Sequence, residues 1–133
     1  MNNESRNMIL AAGKEHTDKI YNLLRGSYQQ LFEWYVLNDE SIIDIAKHLD
    51  RNRKTIRRWL NNMFDFIESP AFQDYINGRI NFSSVLSELV FVECWIRGHD
   101  LESVIEESNA SETLMRNYHS FWLTIFGEPS RIE

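Results

Sequence analysis

Apolar residues recur at intervals of three and four along most of the chain, and no stretch alternates apolar with polar in the two-residue period of a strand. The sharpest stretch is IIDIAKHLDRNRKTIRRWL, residues 42–60. Ile42, Ile45, Ala46 and Leu49 fall on one face of a short helix, and Asp50-Arg51 breaks it. Ile56, Trp59 and Leu60 then form the inner face of a second helix. Ser41, with Asp44 three residues on, has the form of an N-cap. Asn52 is the matching cap for the second helix, which extends through Met63, Phe64 and Ile67. Upstream, Thr17 is placed to cap a helix that turns Ile20, Leu23 and Leu24 inward. Gly26-Ser27 interrupts it, and Leu31, Phe32, Tyr35 and Val36 keep helical spacing as far as Leu37. Residues 1–16 are polar and irregular and read as a flexible arm.

Downstream, Ser69-Pro70 restarts the chain into a short helix carrying Phe72, Tyr75 and Ile76, which Asn77-Gly78 ends. Ser83 or Ser84 opens a helix from Val85 to Ile96, apolar all round and so expected at the centre of the core. Leu101 to Glu107 forms another short helix, and Ser111 caps a last one that runs to Phe126 before Gly127 and Pro129. A shift of 59 residues lays Leu101, Val104, Ile105, Met115 and Tyr118 on Ile42, Ile45, Ala46, Ile56 and Trp59, and cap Ser111 on cap Asn52. The match is one of hydrophobic register, not identity. It is read as a degenerate second copy of the first helix pair or as a helical hairpin with ordinary core spacing.

Composition supports a folded chain: 43% of the 133 residues are hydrophobic and 13% aromatic, enough to build a core. The single cysteine, Cys94, excludes an internal disulfide and suits a reducing, cytoplasmic setting. Met8 to Ala12 is too short an apolar run for a signal peptide, and no run nears the ~18 residues of a spanning helix, so no membrane partner is expected. The net charge of −6 argues against sequence-blind coating of nucleic acid. Its distribution changes that picture. From Lys47 to Arg58 six basic residues meet one acid, Asp50, a local +5 that leaves −11 on the rest of the chain. Such a molecule can present one face to phosphate and be repelled elsewhere, which favours a single docking orientation.

At 100° per residue, Ile56, Trp59, Leu60 and Met63 gather on the core side of their helix, while Lys54, Arg58 and Asn61 gather opposite, with Arg57 on the flank. Arginine pairs bidentately with guanine and asparagine with adenine, so this outer face carries side chains suited to base edges. Arg53 and Arg57 suit base or backbone equally. Asn52 and Thr55 at the helix start suit phosphate, aided by the positive end of the helix dipole. Arg51 in the turn and Lys47 on the preceding helix are further candidates for phosphate contact.

The segment resembles the helix-turn-helix of transposases, resolvases, sigma-factor-type DNA-binding regions and phage regulators. The resemblance is carried by Ile45-Ala46, Leu49, the turn at Asp50-Arg51, Arg53-Lys54-Thr55-Ile56 and Arg57-Arg58-Trp59-Leu60, with Gln30 to Leu37 as the lead-in helix. One departure is Asp50 where glycine is common, and Asp tolerates a left-handed backbone. Arg58-Trp59-Leu60 followed by Ile67-Glu68-Ser69-Pro70-Ala71-Phe72-Gln73 is similar to phage small terminase subunits. The first resemblance implies a sequence-specific double-stranded DNA-binding protein, a transcriptional regulator of a bacterium, phage or mobile element. The second implies a DNA-recognition subunit of phage packaging.

No P-loop, nucleophile elbow or dinucleotide loop is present, so no enzyme and no cofactor are expected. Cys94 and His99 lack a second pair to complete a zinc set, and no metal site is expected. The expected architecture is all-α: an arm over 1–16, a trihelical DNA-binding unit over 17–68, and a second helical unit over 69–133. One short recognition helix reads few bases, so a homodimer or higher homo-oligomer is expected. From Asp100 to Arg116 five acids meet one base. The second unit, with Glu102, Glu106 and Glu107 on its surface, is therefore expected to hold a protein partner or a second subunit. A protein-interaction module without DNA contact is the remaining alternative.

Overall fold

The computed structural model describes residues 2–130. Among them the chain is all-α, with no strand. It divides into two compact units, the first ending at Ser69 and the second beginning at Pro70. No helix among the described residues is long and apolar enough to cross a membrane.

The first unit comprises α1 (Asn2–Ala11), α2 (Lys14–Leu23), α3 (Gly26–Phe32), α4 (Ile42–Leu49) and α5 (Arg53–Ile67), and α3 runs directly into a π-helical turn over Glu33–Leu37. Its core is built from Ile20, Leu31, Phe32, Ile45, Ile56, Leu60 and Met63, none more than 2% exposed. Burial of each such side chain is worth about 1.5–3 kcal/mol, so the inner face of α5 is what anchors its outer face.

The N-terminal segment departs from the flexible arm expected over 1–16. It is helical, packs against α5 and buries Ile9. Polar side chains fix it: Ser5 donates to Glu68, Tyr35 donates to Asn3, and Arg6 pairs with Asp39. Hydrophobic spacing does not register contacts of that kind. Thr17 is likewise not the cap of α2. It is buried inside that helix, and its hydroxyl donates 2.8 Å back to the Gly13 carbonyl.

The second unit comprises α6 (Pro70–Ile76), α7 (Val85–Phe91) with a π-helical turn over Val92–Ile96, α8 (Leu101–Glu107) and α9 (Glu112–Phe126). Aromatic rings dominate its core. Phe91 stacks on Trp95 at 6.1 Å and meets Trp122 edge-on at 5.1 Å. The Trp122 indole donates to the Ser87 carbonyl at 3.2 Å, so its polar atom is satisfied where it is buried.

The two units repeat one another. α3, its π turn, α4 and α5 each begin 59 positions before α7, its π turn, α8 and α9. Asn38 N–H reaches back to the Glu33 carbonyl at 2.9 Å, and Arg97 N–H to that of Val92 at 2.8 Å. The next residue in each case is left-handed, Asp39 at φ 54° and Gly98 at φ 77°. The caps correspond too: Ser41 and Asp100, Asn52 and Ser111 each accept a backbone N–H three residues on. Buried Phe32, Ile45, Ile56 and Met63 sit at the register of buried Phe91, Val104, Met115 and Trp122. The register of 59 thus extends to helix bounds, turns and caps. The connection before the last helix differs. Asp50 is left-handed at φ 51°, whereas Ser108 is extended at φ −103° and its turn is one residue longer.

Candidate nucleic-acid interface

α4 and α5 are joined by Asp50, Arg51 and Asn52. The left-handed Asp50 ends α4, its N–H bonding back to Lys47 and that of Arg51 to Ala46. The Asn52 Oδ1 accepts the Thr55 N–H at 2.8 Å and starts α5. These two local devices set where the side chains of α5 emerge.

Lys47, Arg51, Arg53, Lys54, Arg57, Arg58 and Asn61 are all exposed. Among the described residues, none of those six cations makes an ion pair. Arg51 makes one long hydrogen bond, its guanidinium lying 3.4 Å from the Asp50 carbonyl. Lys54, Arg58 and Asn61 fall within about a 60° sector facing away from the core. Within α5, Arg53 to Asn61 spans about 12 Å along the axis, on the scale of the ~12 Å major groove.

The first turn of α5 holds no acid and two cations, Arg53 and Lys54. That is the reverse of what the helix dipole favours, since positive charge at an N-terminus is destabilising by a few tenths of a kcal/mol per residue. Its counterpart α9 begins with Glu112, the stabilising choice. Helix stability therefore does not explain these two cations.

Three sequence expectations need adjustment. Asn52 uses its side-chain oxygen as a cap, which leaves only its amide N–H groups for a phosphate. Thr55 is half-buried rather than open. Trp59 is only partly buried, at the margin of α5, and lies outside the fully buried core that Ile56, Leu60 and Met63 fill. Trp34 is similarly only partly buried and packs on the His48 ring at 5.5 Å, whereas Trp95 and Trp122 are buried.

Sequence reasoning missed Arg6. It shares with Arg53 and Arg57 an open cleft of about 390 Å³ beside the start of α4, bordered also by Tyr35, Asp39 and Ser41. Its guanidinium lies 5.3 Å from the Tyr35 ring centre while pairing with Asp39. Nothing in the local sequence of α1 signals this, because the proximity is tertiary.

In the second unit, Glu102 does not stand free. Arg116 grips it through two bonds of 2.9 and 3.2 Å and also reaches Glu112. Glu106 and Glu107 are exposed. Cys94 is buried, and burial pushes its thiol up to about 12. His99 bonds Glu93 at 2.8 Å. No group of three metal-ligating side chains forms among the described residues. No known protein family, characterised protein or solved structure matches the chain.

Proposed function

We propose that the chain binds double-stranded DNA in a sequence-specific manner, with α4 and α5 acting as a helix-turn-helix and α5 as its recognition helix. The reading rests on one observation: an acidic protein displays six exposed cations on α4, its turn and α5 that form no ion pair among the described residues. Lys54, Arg58 and Asn61 read base edges in the major groove. Arg51, Arg53, Arg57 and Lys47 hold phosphates and set register, assisted by the positive end of α5. A single recognition helix touches few base pairs, so the chain works as two copies on two half-sites, as a transcriptional regulator of a bacterium, phage or mobile element.

Selection of bound duplexes from a random pool, repeated at two salt concentrations, tests this. Enrichment of a defined sequence is expected, with log affinity falling against log salt at a slope of about −4 to −5 if some five phosphates are engaged. Absence of enrichment together with absence of binding at low salt would overturn the proposal.

A further inference from the structure

The repeat makes α9 the counterpart of α5, yet the outward faces of the two helices are unlike. Lys54, Arg58, Asn61 and Asp65 of α5 stand at the register of Thr113, Asn117, Ser120 and Thr124 of α9, all exposed and all uncharged. Beside that neutral strip lie Leu114, Phe121 and Ile125, exposed by 47%, 53% and 51%. Half-buried Tyr118 stands between the first two. The charged residues of this helix point elsewhere, Arg116 and Glu112 being paired with each other and, through Arg116, with Glu102 on α8.

We infer that this face of α9 is a docking surface for a second copy of the same chain, in an antiparallel pair about a two-fold axis. Three observations select that occupant. First, the spacing Leu114, Tyr118, Phe121, Ile125 runs four, three, four and is the same read in either direction. It is the alternation of a coiled-coil seam. An axis midway between Tyr118 and Phe121 sets Leu114 of one copy against Ile125 of the other and Tyr118 against Phe121, which is the self-complementarity a two-fold contact demands. Second, two copies each carrying −6 repel one another over most of their surface, and an uncharged strip is where they approach without like-charge contact. Third, the area suits a modest dimer. Half of a large apolar side chain is on the order of 100 Å², so the strip offers roughly 300–400 Å² per copy before its polar flank is counted. A standard interface uses about 800 Å² per partner. The pair is accordingly of the weak, concentration-dependent class. Val85 extends the apolar surface: it is 87% exposed and follows Ser84, whose hydroxyl donates to Tyr118.

The inference stands on α9 alone and does not depend on DNA contact, so its test omits DNA. Sedimentation of the full chain from roughly 1 µM to 1 mM should show a reversible monomer–dimer equilibrium. Phe121→Glu should weaken that equilibrium by more than about 30-fold. Its helical circular dichroism should match the parent, because the side chain is already half in solvent. The antiparallel register is read by cysteine pairing: a mixture of Leu114→Cys and Ile125→Cys chains should form the mixed disulfide in preference to either like pair. A chain monomeric throughout that range overturns the inference and leaves the strip to a different protein. So does a dimer that Phe121→Glu leaves intact, which would place the contact elsewhere. Like-pair disulfides in excess would refute the antiparallel arrangement.

Discussion

Replacing Lys54 by Glu should stabilise the fold and weaken DNA binding at the same time. Lys54 is exposed, without an ion pair among the described residues, and in the first turn of α5, which contains no acid. Reversing its sign there turns an unfavourable dipole interaction into a favourable one, worth about 0.5–1.5 kcal/mol. Arg58, four residues on, changes from a like-charge neighbour to an opposite one in the favourable order, adding about 0.5 kcal/mol. The sum, about 1–2 kcal/mol before screening, corresponds to a rise of roughly 5–10 °C in the unfolding midpoint of a unit of this size. Circular dichroism melts at low and at ~1 M salt measure it, and the gain should shrink at high salt, where charges beyond about 3 Å are screened. Duplex affinity, read by fluorescence anisotropy with the selected sequence, should fall by about 100-fold, and discrimination against unrelated duplexes should relax, as expected for a residue that reads a base edge. Loss of stability together with binding would mean that Lys54 is structural. A stability gain with unchanged affinity would mean that this face does not meet DNA.

Trp122→Ala should cost about 3–5 kcal/mol, because it empties a buried ring site and removes the indole bond to the Ser87 carbonyl, whereas partly buried Trp59→Ala should cost less, about 2 kcal/mol; urea midpoints compare them. Cys94, with its thiol pushed up to about 12 by burial, should resist thiol reagents at neutral pH in the folded chain and react at once in denaturant. Burial against Trp95 lowers the pKa of His119, so the unfolded chain binds its proton more readily. Stability should therefore be full above the ordinary histidine range near pH ~6.5 and decline as pH falls through it, levelling once the folded group also titrates. His119→Gln should lack that part of the pH profile.

Much of this fold is written locally. Asn52 and Ser111 each begin a 15-residue helix where their chemistry says they should, because a cap acts on the N–H three residues away. The register of 59 was visible because the same inner positions stay apolar in both units, even where Met63 becomes Trp122. What escaped is non-local. α1 is held by Asn3, Ser5 and Arg6 reaching partners 32 to 63 residues away. The π turns insert one extra residue that a 3.6-residue period does not anticipate. Size and spacing point Trp59 to the core, yet its position at the margin of α5 leaves it only partly buried. At the interface, residue type and outward direction were legible for Lys54, Arg57 and Arg58. That those cations make no ion pair among the described residues was not, since it depends on where the carboxylates fold.

The most direct measurement is amide chemical-shift mapping of the full chain as a selected duplex is added. Changes confined to residues 47–61, with the side-chain amide of Asn61 among them and the counterpart stretch 106–120 unmoved, are what DNA recognition by α5 requires. Shifts spread evenly over both units, or none in α5 at a duplex concentration that saturates binding, would contradict it.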